Sequence, residues 1–514
     1  MEKKFRKYIL KISIFAMVDA LVLFFCIMFI LNDDIIISSI IFVVTILLNW
    51  LGFSKKSYPL RYLLPGLTFM IAMVVVPIGY NVYISFTNYS TGHIVSKDQA
   101  IKNFMNREYF PENGKKYDYI AYGTPESLKY LLLHSENDED TLVDMEGNVL
   151  DFNEIKHSYD DSGFPGNIDN FYVLDQKEIF KNIKELQNLK ITYLNGWLRL
   201  GTLREFYYYI PQYTYDSKKD ILIDNKTEKI YRVKNAQFVS DDGEMLDPGW
   251  TEVIGFQNYI RLLTTEKYRK PFFSVFLWTI EWSVLTVFFS FVIGLGLALL
   301  LNDPKIKMRK FYRSLLILPY AMPAFISLLI WRYGFYNSDF GLFNKILNSM
   351  FNITIPWLNS PGWARFSVIL TNVWLTFPYM MLVSLGALQA VPGNLLEAAR
   401  IDGANGFQRF RKITFPLIMI SIAPLLIGSF ATTFNNFTVI WLLTEGNPIT
   451  GIGNVSGATD ILISYAYKLA FIGKAGNELG LSSAVAVVIF LIIVTISVLS
   501  FRRTKVLEEV ADEL

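Results

Sequence analysis

Runs of apolar residues long enough to cross roughly 30 Å of hydrocarbon as helix, about 20 residues each, recur eight times along this chain, at 8–31, 35–53, 63–86, 272–301, 314–335, 366–391, 418–444 and 480–501. Each predicts a membrane-spanning helix. The first follows the basic stretch MEKKFRK, as the core of a secretory signal would, but it is too long and no small-residue cleavage site follows it, so it is expected to remain as a span. Residues 91–260 have a different character. Polar and apolar positions alternate in KKDILIDN and KIYRVKNAQFVS, and DDSG, FPGN and DDGE mark turns. That pattern predicts a β-rich globular domain, of a length that can bury its own core. The chain is therefore expected to divide into a two-helix membrane segment at 1–62, a third helix at 63–90, an extracytoplasmic domain at 91–262 and a five-helix core at 263–514. The expected fold class is an all-α polytopic membrane protein with eight transmembrane helices and a large β-rich domain inserted after the third.

Composition agrees with a mixed molecule. Of 514 residues, 52% are hydrophobic and 18% charged, and the mean hydropathy of +0.31 is too apolar for an ordinary soluble protein. The formal charge of +2 hides two opposite parts: residues 91–260 hold 19 Lys and Arg against 29 Asp and Glu, leaving 29 basic and 17 acidic residues elsewhere. In the eight-span arrangement five basic clusters share one side: Lys3, Lys4, Arg6 and Lys7; Lys55, Lys56 and Arg61; Lys305, Lys307, Arg309, Lys310 and Arg313; Arg400, Arg409, Arg411 and Lys412; and Arg502, Arg503 and Lys505. Basic residues in short loops stay in the cytoplasm. Both termini are thus expected inside a bacterial cytoplasmic membrane, and the acidic domain outside, where its charge suits a docking surface. The lone cysteine, Cys26, permits no intrachain disulfide, and with three histidines a Cys/His metal cluster is not expected.

A charged segment, EAARIDGANGFQRFRKITFPL, interrupts two of the apolar runs at 397–417. Leu395, Leu396, Ala399 and Ile401 form one apolar face, Asp402-Gly403-Ala404 breaks the helix, and Phe407, Phe410 and Ile413 form a second stripe that is expected to end before Pro416. Two short helices meeting at a turn result, with apolar residues that no lipid reaches. A structural connector would explain the bare pattern. The spelling, E-A-A followed by Asp-Gly-Ala and then I-x-x-P, resembles the EAA coupling motif of ABC importer permeases, whose two helices insert into a cleft on the nucleotide-binding subunit. The resemblance implies a type I importer permease fold with a coupling loop at 393–416, and ATPase-coupling roles for Glu397, Ala398, Ala399, Asp402, Gly403, Ala404, Phe407 and Phe410.

Two of the apolar runs carry polar stripes. Asn372, Leu375, Thr376 and Tyr379 fall at i, i+3, i+4 and i+7, and Ser429, Thr432, Thr433 and Asn436 repeat that spacing. Buried donors and acceptors at membrane depth must meet each other, water or a substrate. Hydrogen bonding between helices is the plainer use of such residues. A pathway for a neutral sugar is the other, since Phe377, Phe430, Phe434 and Phe437 flank the stripes and sugar rings stack on aromatic faces. Resemblance extends along nearly the whole chain: SFTNYS after the third run, LLILPYAMPAFIS in the fifth, NVWLTFPYMML in the sixth and FNNF in the seventh match, in order, the larger permease subunit of maltose and maltodextrin importers, in the binding-protein-dependent transport system inner-membrane component family. It implies sugar-lining roles for Tyr320 in an LPY turn, Asn372, Leu375, Tyr379, Ser429 and Asn436. This chain departs from the family at Thr376, where a glycine is expected, and at Thr432 and Thr433, where phenylalanine and asparagine are expected.

No G-x-x-x-x-G-K-[ST] occurs, so the chain cannot cradle ATP in a P-loop of its own. The resemblance implies a permease subunit, not an enzyme, with no cofactor and no nucleic acid. Its implied partners are a second permease subunit, a homodimer of ATP-binding subunits, an extracytoplasmic maltose/maltodextrin-binding protein and membrane lipid. Alternatives are transport of another neutral oligosaccharide or solute, an ion-coupled secondary transporter, and a membrane receptor with an external sensor. The sixth and seventh runs lack the carboxylates that an ion site needs. Asp19 and Glu281 lie within apolar runs and are expected to serve structure, and VLEEVADEL ends the chain as a solvated tail.

Overall fold

Apolar runs become helices wherever no polar partner competes for the backbone. The computed structural model describes residues 2–31, 35–53, 63, 66–135, 138–151, 155–159, 164–450, 455–473 and 477–512. The Lys55, Lys56 and Arg61 cluster, the boundary at 62 and the DDSG turn at 160–163 lie outside the described residues. By contact the chain falls into two compact units, Met1–Tyr83 and Ile84–Leu514. Six helices among the described residues are long and apolar enough to cross a membrane, and one bent pair meets the same test jointly.

In the first unit α1 (Glu2–Leu31) and α2 (Ile35–Phe53) form an antiparallel hairpin. Polar contacts help to hold it. Ser38 Oγ donates to the Cys26 carbonyl at 3.1 Å, and Asn49 Nδ2 donates to Asp19 Oδ1 at 2.7 Å. In a medium without water such bonds have no competitor, and Asp19 is thereby tied to its neighbouring helix. The third span, α3 (Gly66–Ser85), leads into the second unit.

The segment that follows is β-rich. Its strands form an eleven-stranded sheet, whose path runs from Val149–Leu150 through Ser127–Ser135 and Lys116–Thr124 to Ile191–Tyr193, and a five-stranded antiparallel meander from Tyr213 to Leu246. KKDILIDN supplies the strand Ile221–Asp224. KIYRVKNAQFVS becomes the hairpin Ile230–Lys234 and Gln237–Ser240, turning on Asn235 and Ala236 at φ 53 and 57, as a two-residue primed turn requires. Tyr117, Leu131, Leu133, Val143, Leu198 and Phe206 are fully buried between sheet and helices; each such side chain stabilises by roughly 1.5–3 kcal/mol. Entry and exit strands are joined. Asn258 Nδ2 donates to the carbonyls of Ser85 and Thr87, and the Gly480 amide donates to Tyr89.

Beyond α4 (Lys97–Met105), α5 (Gln176–Lys181), α6 (Ile183–Asn188) and α7 (Gln257–Thr264), the core begins with α8 (Glu266–Asn302). The fifth apolar run is not one helix. It forms α9 (Arg309–Ala321) and α10 (Ala324–Phe335), set at 83° to each other. The LPY sequence, expected as a turn, is helical, and the break falls at Met322-Pro323, where the residue before a proline is driven out of the α region. After α11 (Leu342–Phe351), the sixth span is α12 (Pro361–Ala390), and α13 (Gly393–Ile401) follows it. The second coupling helix does not stop before Pro416. It runs on as α14 (Gly406–Phe434), because residues 410–414 widen into a π turn that relieves the ring clash of an internal proline. The seventh run, expected as a single helix to 444, breaks at Asn435 and resumes as α15 (Phe437–Thr444). Then come α16 (Leu462–Phe471) and α17 (Leu479–Asp512).

A buried ion pair joins α16 to the segment that leads into it. Lys468 Nζ lies 2.7 Å from Asp460 Oδ2, and the same carboxylate accepts from Ser464 Oγ and the Gly457 amide at 2.7 and 2.6 Å. Asp460 is fully buried. Removing one partner of such a pair strands the other charge, so Lys468→Met is expected to destabilise the protein by about 3–5 kcal/mol. Adding Asp460→Asn to that variant should recover much of the loss. Melting of the detergent-solubilised protein checks both, and additive losses would show that the pair acts as two independent groups.

Candidate functional site

Helices α8 and α12 pack closely in the core. At Gly294 a Cβ would come within 2.7 Å of Met380 Cβ and of the Met381 amide, so only glycine lets the two backbones approach this closely. One turn earlier, Ser290 Oγ and Thr376 Oγ1 meet at 2.7 Å. Thr376 passes its own proton to the Asn372 carbonyl at 2.7 Å, so Ser290 must be the donor in the pair.

Beside this contact α8, α9, α12 and α14 enclose a cavity of about 430 Å³. Thr286, Val287 and Ser290 of α8, Tyr320 of α9, Thr376, Tyr379 and Met380 of α12, and Pro424, Leu425, Gly428, Ser429, Thr432 and Thr433 of α14 line it, with Asn436 at its end. The rings of Tyr320 and Tyr379 lie nearly parallel, their centroids 6.2 Å apart and their planes 27° apart. Among these lining residues none is charged. A volume within the roughly 300–1,000 Å³ of small-molecule sites, neutral hydroxyls, phenols and an amide, and an aromatic pair together suit an uncharged, hydroxyl-rich ligand.

Seven of the nine sequence-predicted lining residues meet here: Tyr320, Thr376, Tyr379, Ser429, Thr432, Thr433 and Asn436. Asn372 and Leu375 do not. Leu375 belongs to the buried cluster that holds Trp278, Trp331 and Val439, and Asn372, one turn before Thr376, is buried among helices. A stripe at i, i+3, i+4 and i+7 is about 100° wide and more than two turns long, and the cavity meets only Thr376 and Tyr379 of it. Asn436 reaches the cavity by a different route from the expected helical repeat. Trp282 Nε1 and the Asn436 amide both donate to the Thr433 carbonyl, ending α14, and Asn436 Oδ1 then accepts from the Val439 amide to cap α15. The expected phenylalanine ring does not form the wall either. Phe434 is fully buried against Phe430, 5.7 Å between centroids, and Phe437 stacks on Trp441.

Thr286 and Ser290 were not among the expected residues, although a signal for them exists. Thr279, Ser283, Thr286 and Ser290 recur at helical spacing along the fourth apolar run, the same pattern that marked the sixth and seventh.

At the other end of α12, the turn between α13 and α14 follows the expected break. The Ala404 amide donates to the Ala399 carbonyl at 2.9 Å and Gly403 takes φ +82, a Schellman ending. Nothing lies within 4 Å of a Cβ at Gly403, so its requirement is conformational. Asn405 and Gln408 form a reciprocal capping box at the start of α14. Glu397, Ala398, Asp402 and Phe407 are exposed, Ala399 and Ala404 are half-buried, and Ile401 is 86% exposed. Phe410 instead packs inward, against the cluster that holds Met381 and Ile418.

The family model described as binding-protein-dependent transport system inner membrane component matches residues 290–506, and that of the N-terminal of the TM subunit in PBP-dependent ABC transporters matches 68–141. The maltose/maltodextrin transport system permease protein MalF of Vibrio parahaemolyticus is 36% identical over 495 residues, covering 93% of this chain and 91% of that one. The MalF of Vibrio vulnificus is 36% identical, covering 88% and 86%, and the MalF of Escherichia coli is 34% identical, covering 88% of each.

Because Gly294 fixes the separation of α8 and α12, Gly294→Val should force the helices apart and cost about 1–3 kcal/mol. A melting temperature equal to that of the unsubstituted protein would show that the contact yields freely.

Proposed function

We infer function from the premise that this chain belongs to the MalF family of maltose/maltodextrin transport system permease proteins, inner membrane components of binding-protein-dependent transport systems. It is the permease subunit of an ABC importer that moves maltose and maltodextrins across the inner membrane. It works with a second permease subunit, an ATP-binding subunit pair and an extracytoplasmic binding protein. ATP hydrolysis belongs to the ATP-binding partner. The observation that carries this reading to the residues is the neutral cavity between α8, α9, α12 and α14, with its paired tyrosines.

The reading places eight spans in the membrane, both termini and the α13–α14 turn in the cytoplasm, and residues 91–262 outside as a surface for the binding protein. The positions of the basic clusters support that orientation. Sugar delivered from outside enters the cavity. Tyr320 and Tyr379 offer apolar faces to its rings, and the side chains of Ser429, Thr433 and Asn436 exchange hydrogen bonds with its hydroxyls. Asn372 and Leu375 pack α12 against its neighbours. At the cytoplasmic side Glu397, Ala398 and Ala399 dock in the ATPase, with Phe407 and the exposed Ile401 covering the contact. Asp402, Gly403 and Ala404 hold the turn, and Phe410 ties it to the membrane core. Closure of the ATPase then biases the permease between inward and outward states by as much as it binds one better than the other.

Two outcomes follow. Tyr379→Ala and Asn436→Ala should each lower sugar uptake by roughly one to two powers of ten, the loss expected for about 1–3 kcal/mol of bonding in a water-poor site, while complexes with the ATPase still form. Normal uptake in both would assign these side chains to helix packing. Gly403→Val places a branched side chain at φ +82, a conformation it adopts with strain. The chain should reach the membrane but lose sugar-stimulated ATP hydrolysis, and undiminished stimulation would sink the coupling role of this turn.

A further inference from the structure

Four hydroxyls lie at helical spacing along α8, and three have partners. Thr279 Oγ1 donates to the Val275 carbonyl at 2.6 Å, Ser283 Oγ donates to the Thr279 carbonyl at 2.7 Å, and Ser290 Oγ bonds Thr376. Thr286 differs. Its side chain is 1% exposed, it forms part of the cavity wall, and its Oγ1 has no hydrogen-bond partner in the protein. A helical threonine ordinarily returns its proton to the carbonyl four residues back, as Thr279 and Thr432 do. Thr286 leaves that bond unmade in an interior where an unpaired hydroxyl is costly.

We propose that Thr286 is a sugar-contacting, specificity-determining residue of the carrier site, whose hydroxyl pairs with a ring hydroxyl of the neutral sugar in the cavity. This rests on the carrier reading above. Rotation about χ1 carries the Thr286 hydroxyl between staggered wells without backbone movement, and threonine in a helix populates two of them. The neighbouring wall is chemically one-sided. Ser290 and Thr376 have both committed their protons within the protein, and so has Thr432, which donates to the Gly428 carbonyl at 2.9 Å. They face the ligand as acceptors only. Thr286 still holds its proton, so the wall from α8 and α12 presents a donor next to two acceptors and selects a sugar whose adjacent hydroxyls match that order.

The test uses the whole importer in lipid vesicles, with its second permease, ATPase and binding protein, and radiolabelled maltose as probe. Sugar moved per ATP hydrolysed is the quantity read. Thr286→Val keeps shape and removes the hydroxyl, and should lower that ratio about tenfold, the effect of one hydrogen bond in such a site; Thr286→Ser should restore most of it. A Val variant with the unsubstituted ratio overturns the proposal, as does a Ser variant that falls equally. If uptake and hydrolysis fall together at constant ratio, the role is packing and the proposal fails. Thr286→Ala removes the hydroxyl without a branched replacement, and failure of both variants to assemble would likewise assign the residue to packing. An unsubstituted importer that hydrolyses ATP but moves no maltose would overturn the carrier reading itself, and this inference with it.

Discussion

The contact between α8 and α12 is the constraint from which the rest of the core follows. Lipid offers helices no hydrophobic reason to associate, so they hold together by close van der Waals packing and by the few polar bonds that span them. Gly294 provides the first against Met380 and Met381, and the bond from Ser290 to Thr376 provides the second. A side chain at position 294 would separate the backbones, and the hydroxyl pair one turn away would lose its reach. The cavity lies beside this contact because α9 and α14 pack around a pair of helices whose spacing is already set.

Polar atoms within the spans then obey strict accounting. Helix carbonyls four residues back absorb most hydroxyl protons, and the tryptophan at 282 absorbs the carbonyl left over where α14 stops. Trp278, Ser327, Asn372 and Ser384 leave buried polar atoms unpaired elsewhere in the spans, and at the cavity Thr286 does so beside Asn436, whose Oδ1 caps α15. On the proposed reading, the cavity takes a neutral sugar because the membrane core leaves hydrogen bonds there for a ligand to complete. Its lack of charge is equally a product of lipid, since a carboxylate at that depth would need a partner. Asp460, a buried carboxylate beyond α15, has three donors.

Polar contacts also tie the inserted β-rich segment to the helices. Asn258 binds the backbone on both sides of Phe86, and Thr91 and Tyr89 pair with residues at the start of the last helix. The Gly403 turn leaves Ile401 and Phe407 exposed, apolar surface that the proposed reading assigns to the contact with the ATPase.

Much of this was legible in the sequence because the relevant forces are local. Hydrophobic runs of membrane length, the strand periodicity around KIYRVKNAQFVS, the glycine turn at 403 and the absence of a P-loop depend on neighbouring residues alone. Helix continuity was less legible. Met322-Pro323 and the paired Asn435 and Asn436 break their spans, while Pro416 does not, because a π turn and tertiary packing decide whether a missing amide is tolerated. Which residues face the cavity was not local at all. Asn372 and Tyr379 share a helix face, yet one is walled in and the other open, and Thr286 enters the site from a helix whose polar residues look no different from its packing hydroxyls. Periodicity names a face, but only the approach of α8 to α12, set by a glycine 86 residues from its partner Met380 in sequence, decides what that face meets.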